Sequence, residues 1–194
     1  GLDLCVVFSG DPDRLPPDAA AAHARFAAAG GVLLKEIPDR RWALIVDGLL
    51  GIGLSRAPTG RVGELIGAAN QLALTHDCPL LALDCPSGLD ADTGATPGLA
   101  IRASHTLSFI AGKPGLWTAN GPDHCGEIRI ADLDLPPLPD LPADGQLISP
   151  AVFAERLQPR RANTHKGSFG SAGVLGGGKA MVGAALLTAR AALH

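Results

Sequence analysis

Four apolar residues run into a carboxylate and stop at a turn in Leu80-Leu81-Ala82-Leu83-Asp84-Cys85-Pro86-Ser87-Gly88-Leu89-Asp90. No other part of the chain restricts the fold as much. A short apolar run closed by turn residues reads as a buried strand of a parallel sheet. Open α/β sheets bind ligands at the carboxyl ends of their strands. The pattern predicts Asp84 at such an end, with the Ser87 hydroxyl able to turn back into the same crevice. Taken alone, Asp84 could as well cap the turn that follows it.

The device is repeated upstream. Trp42-Ala43-Leu44-Ile45-Val46-Asp47 again runs apolar into an aspartate, and Gly48-Leu49-Leu50-Gly51-Ile52-Gly53-Leu54-Ser55-Arg56-Ala57-Pro58-Thr59-Gly60 follows. Glycines let a backbone approach a ligand closely, and consecutive N–H groups can hold oxyanions. Arg56 adds a bidentate phosphate donor, and Ser55 and Thr59 add hydroxyls. The loop is not the dinucleotide fingerprint, because Arg56 stands where the third glycine belongs. Each residue alone would suit an ordinary strand-to-helix loop with a surface arginine. Two aspartates at successive strand ends around a glycine-rich basic loop read as a site for a phosphorylated ligand, with or without a cation.

Three blocks then match one family in order and spacing. Asp47 to Arg56, Asp84-Cys85-Pro86-Ser87-Gly88-Leu89-Asp90-Ala91-Asp92-Thr93-Gly94, and Lys113-Pro114-Gly115-Leu116 closely resemble the NAD(P)H-hydrate epimerases, over about residues 1–135. From about Arg161, Thr164-His165-Lys166-Gly167-Ser168-Phe169-Gly170, Val174-Leu175-Gly176-Gly177-Gly178 and Met181-Val182-Gly183-Ala184-Ala185 resemble the opening of the ADP-dependent NAD(P)H-hydrate dehydratases. The chain reads as a piece spanning the junction of a bifunctional repair protein. Gly1 is not a start methionine, and the last residues run in a helical pattern without a cap. The family's asparagine- and glycine-rich loop would precede Gly1.

The epimerase resemblance implies a substrate of NADH or NADPH hydrated at C6 of the nicotinamide ring, whose two epimers are interconverted. It implies Asp84 as the catalytic group and as a substrate contact. The loop Gly51, Ile52, Gly53, Leu54, Ser55, Arg56 and Ala57 would bind substrate, and Asp47 and Ser87 would ligate potassium. A carboxylate is a suitable proton-exchanging group, and hard oxygens suit an alkali cation. The dehydratase resemblance implies Ala184 as a substrate contact, and ADP or ATP with Mg2+ only for that activity. Gly173-Val174-Leu175-Gly176-Gly177-Gly178-Lys179-Ala180 nearly spells a nucleoside-triphosphatase phosphate loop, but alanine stands where magnesium needs a hydroxyl. The competing readings are a non-catalytic dinucleotide- or ADP-ribose-binding module and a nicotinamide-dependent oxidoreductase, the latter disfavoured by the missing fingerprint.

Composition restricts the partners. Hydrophobic residues make up 46% and charged residues 18%, with a net charge of −3, which suits a globular core and argues against nucleic acid or an anionic membrane. Cys5, Cys78, Cys85 and Cys125 form no CxxC pair and read as reduced thiols of a cytoplasmic protein. Cys85 reads as a small buried hydrophobe. A small-molecule substrate is the expected partner, and a homo-oligomer is left open.

Strand and helix patterns alternate: strands near 3–8, 32–36, 42–46, 80–84, 103–110 and 127–130, and helices near 17–29 and 61–76. This predicts an α/β, Rossmann-like, mainly parallel sheet with helices on both faces. The first strand (172–175) and helix (from Gly183) of a truncated ribokinase-like domain would follow. Domain boundaries are expected at 1–135 for the epimerase part, 136–160 for a linker and short helix, and 161–194 for the dehydratase start. Pro136, Pro137, Pro139 and Pro142 mark the linker, and Ser149 would cap a helix opened by Pro150.

Overall fold

A computed structural model describes residues 3–136, 143, 145–156, 159, 161–165, 167–168, 170–179 and 181–193. The expectations on Pro137, Pro139, Pro142, Lys166, Phe169 and Ala180 lie outside the described residues. The chain divides into two compact units, Gly1–Pro142 and Ala143–His194.

The first unit opens with β1 (Val6–Val7), α1 (Pro17–Ala28) and β2 (Leu33–Leu34), the two strands pairing in parallel. Proline at its first turn starts α1. Gly30, at φ +82°, ends it by donating to Ala27 O at 2.9 Å while Gly31 donates to Phe26 O at 3.0 Å. Both strands are shorter than the apolar runs that announce them, because ladder bonds form only where a neighbour lies alongside.

A four-stranded sheet follows, made of β3 (Ile45–Asp47), β4 (Leu80–Leu83), β5 (His105–Phe109) and β6 (Glu127–Ala131), with the one-turn helix α3 (Gly121–His124) between the last two. Its spatial order is β3-β4-β5-β6 and every pair is parallel. All four carboxyl ends therefore share one edge, and the loops after Asp47, Leu83 and Phe109 meet there. Register brings Asp47 opposite Ala82, and Ala82 opposite Thr106.

Helix α2 (Gly60–His76) crosses from β3 to β4 and buries Leu65, Ile66, Ala69 and Leu72, a stripe at helical spacing. Ile66 and Ala69 pack with Leu80 and Ile101, with Ile45 against them. Within β4 the burial alternates, Leu80 and Ala82 being buried and Leu81 and Leu83 half-buried, as one covered face requires.

The segment after β4 is unusual for a loop, since Cys85 to Leu89 is buried throughout. A buried backbone must satisfy its polar groups. Leu89 N donates to Pro86 O at 3.0 Å, and Ile101 N to Ser87 O at 2.8 Å. Cys85, Leu89 and Ala91 share a core with Leu116 and Cys125, and burial pushes the Cys85 thiol up to about 12. Gly88 lies at φ +96°, and a Cβ there would stand 2.3 Å from Leu99 O. Only glycine fits that position.

In the second unit, α4 (Pro150–Phe153) has Ser149 at its cap position, but the serine side chain makes no cap bond. The strand expected at 172–175 is not formed; residues 171–175 carry no regular structure. A single strand needs a neighbour to bond, and no other strand occurs among this unit's described residues. Helix α5 (Gly183–Ala191) leaves Leu186 and Leu187 exposed. No helix among the described residues is long and apolar enough to cross a membrane.

Candidate active site

Asp84 follows the last residue of β4 in a left-handed backbone conformation, φ +68°. For a non-glycine residue this costs on the order of 1 kcal/mol and clusters at functional sites. Its N–H donates to Leu107 O at 2.8 Å, which extends the ladder by one bond and holds the twist. The carboxylate has two dissimilar oxygens. Oδ1 accepts from Phe109 N at 3.3 Å and from the Lys113 ammonium. No donor among the described residues reaches Oδ2, which faces Gly51: a Cβ on that glycine would lie 3.7 Å from it. A side chain at Gly51 would thus come into van der Waals contact with the free oxygen, and glycine leaves that space open.

Asp47 ends β3 and is 4% exposed. Its Oδ1 accepts from Ser87 Oγ at 2.6 Å and Leu49 N at 3.2 Å, and its Oδ2 accepts from Ser87 N at 2.8 Å. Ser87 Oγ also accepts from Leu50 N at 2.9 Å and lies 3.3 Å from Leu50 O. A hydroxyl has one proton, and the shorter distance gives it to Asp47. Burial raises the Asp47 carboxyl above its ordinary range, and the bonds from Ser87 and Leu49 oppose that rise. The oxygens gathered here are those of the Asp47 carboxylate, the Ser87 hydroxyl and the Leu50 carbonyl, and the first two already accept backbone N–H groups.

Between these two aspartates runs the loop that starts at Gly48. Gly51, Ile52, Gly53, Ser55 and Arg56 are exposed, and Leu54 and Ala57 are half-buried. The N–H groups of residues 51–57 make no hydrogen bond to any described residue. A run of free amides beside an exposed guanidinium can meet phosphate oxygens without breaking an existing bond. Ala184 is the second residue of α5, in the second unit.

Lys113 is the site residue that sequence reasoning passed over. It occurs in the Lys-Pro-Gly-Leu block that carries the family resemblance, but nothing in its spacing showed that it would turn toward Asp84, 29 positions earlier. The available signal was a lysine in the turn after the strand that neighbours β4.

The parallel sheet, with free amides and two aspartates at its carboxyl edge, defines a class of α/β protein with a candidate ligand site where the strand ends meet. The family described as "YjeF-related protein N-terminus" matches residues 1–115, and the chain belongs to that family. It is 38% identical over 201 residues to the bifunctional NAD(P)H-hydrate repair enzyme Nnr of Escherichia coli (strain K12), covering 100% of this chain and 38% of that protein. The similarity to the Vibrio cholerae enzyme of the same name is 37%, over 98% of this chain and 39% of that protein. To the NAD(P)H-hydrate epimerase of Bordetella pertussis (strain Tohama I) it is 40%, over 71% of this chain and 60% of that protein. The chain spans about two fifths of the length of the bifunctional relatives it matches.

Proposed function

We propose that the protein carrying this chain repairs hydrated nicotinamide nucleotides, and that residues 1–135 epimerise the R and S forms of NAD(P)H-hydrate at C6. The observation that carries the reading is Asp84: a carboxylate at a strand end, one oxygen tied and the other open toward a loop of free amides. Inverting C6 requires the hydroxyl to leave and return, or the ring to open, so a group must trade a proton with that hydroxyl. Asp84 is suited to do so through Oδ2. Gly51 to Ala57 would take the pyrophosphate on backbone N–H groups and on Arg56. Relatives named as bifunctional repair enzymes align with the whole chain, which supports a second step of ADP-dependent dehydration, with Ala184 among its substrate contacts. ADP or ATP and Mg2+ would serve that step alone.

Potassium fits the Asp47 side of the site by donor chemistry. Asp47 is buried, no cationic side chain among the described residues pairs with it, and its carboxylate, the Ser87 hydroxyl and the Leu50 carbonyl are hard oxygens that a cation could share with the N–H groups of Leu49 and Ser87. Asp47 and Ser87 would hold the ion, with the Leu50 carbonyl beside them. Bound there, it would supply the positive charge that a buried carboxylate otherwise lacks. A cytoplasmic location is supported by four free cysteines and by the metabolite-repair names of the relatives.

The test is product analysis. The full-length protein is given one purified C6 epimer of hydrated NADH and followed by chromatography. Appearance of the other epimer with no change of oxidation state is expected. A change of oxidation state would indicate an oxidoreductase, and unaltered ligand would indicate a binding module.

A further inference from the structure

We propose that Lys113 is the positioning residue of this site: it holds Asp84 by Oδ1 so that Oδ2 alone faces the glycine loop and the substrate. The inference rests on the epimerase reading for its kinetic consequence, but its geometric content stands independently.

An ammonium has three N–H donors and no acceptor. Lys113 Nζ has three acceptors around it: Asp84 Oδ1, Ser108 Oγ at 3.0 Å and Phe109 O at 2.8 Å. No donor remains for a substrate, so Lys113 acts through Asp84. Its side chain is only 17% exposed, and that of Asp84 22%. This distinguishes the pair from surface ion pairs, which hold neither partner firmly.

The surroundings keep the ammonium where it is. Ser108 is buried, and its hydroxyl donates to Ala111 O at 3.1 Å while accepting from Lys113. Ala111 N donates to Phe109 O at 2.7 Å, and Leu116 N to Lys113 O at 3.1 Å. The turn from Ser108 to Leu116 is thereby closed around Nζ. Asp84 needs such a brace. Its other bond to Oδ1 comes from Phe109 N at 3.3 Å, long for an N–H···O bond, and its backbone sits in a sparsely populated conformation. Without Lys113 the carboxylate would be free to rotate, and either oxygen could turn from Gly51.

The experiment uses the full-length protein. Lys113→Met should lower kcat for epimer exchange by about 10- to 100-fold, the penalty of a misplaced reacting group, with KM unchanged. Asp84→Asn and Asp84→Asn/Lys113→Met should be equally slow, because a residue acting only through Asp84 adds nothing once that carboxylate is gone. A further drop in the double variant, or a raised KM with unchanged kcat, would overturn the proposal. Crystal structures give a readout independent of activity: Asp84 should leave Gly51 in Lys113→Met. An unmoved Asp84 sinks the proposal even if the enzyme is active. If the wild type exchanges no epimers while Asp84 shifts as described, the epimerase reading fails and the positioning role stands. Should Lys113→Met not fold, Lys113→Arg replaces it, since a planar guanidinium cannot meet the same three acceptors at once. Wild-type kcat with an unmoved Asp84 in that variant would equally overturn the proposal.

Discussion

Asp47 and Asp84 stand at the carboxyl ends of adjacent strands, and the sequence introduces both in the same way, as an acid after an apolar run. The fold treats them oppositely. Asp47 is buried, accepts from three neutral donors, and has a carboxyl raised by its burial. Asp84 is partly open, paired with a lysine, and keeps one oxygen free. The first arrangement ties the β3 end to the loop after β4. The second leaves an oxygen able to exchange a proton. What separates the two carboxylates is which donors the neighbouring turns deliver to each oxygen.

The largest expected effect falls on Asp84. Asp84→Asn keeps the shape and removes the group proposed to exchange protons, so epimer exchange should fall by about 10²–10⁴-fold, with a near-unchanged circular dichroism spectrum. Exchange close to wild type would erase the functional side of the contrast.

A smaller effect, on stability and not chemistry, is expected at Asp47. Three donors converge on its two oxygens, whereas asparagine offers one oxygen and an NH2 group. Asp47→Asn should therefore cost about 1–3 kcal/mol in denaturant unfolding, the penalty of leaving buried donors unmatched. The pH dependence has a definite sign. Because the folded carboxyl is raised above 3.8, the stabilisation from this group is complete below that value and is lost as pH rises through the folded value. Potassium should offset the loss above the folded value and not below it, when compared with a large organic cation at equal ionic strength. Identical melting temperatures in both salts across that range would remove the cation from the Asp47 side.

The smallest effect belongs to the loop between them. Arg56 is exposed, so Arg56→Ala should raise KM several-fold through one lost charge-assisted bond to phosphate and leave kcat as it is. A fall in kcat of the size seen for Asp84 would mean that Arg56 acts on the reacting centre.

Much of this was legible from residues alone. Apolar runs ending in aspartate located β3 and β4, because a buried parallel strand must be apolar and a ligand edge must be polar. Small and apolar residues at helical spacing outlined α2 to within a residue of its ends. The expected strand at 172–175 failed for a reason that no local pattern contains, since a strand is defined by its neighbours. The serine cap expected at Ser149 failed similarly: residue preference marks the position, but the bond depends on a rotamer.

The sequence by itself determined the parallel α/β class, the strand ends, the glycine loop and both aspartates, because hydrophobic periodicity and turn chemistry act over a few residues. Only the tertiary structure decided that Ser87, 40 positions from Asp47, would hydrogen-bond that carboxylate, and that Lys113 would pair with Asp84. Those contacts run between loops at one edge of the sheet. Their partners are chosen by strand order and register, which are properties of the packed sheet and of no single segment.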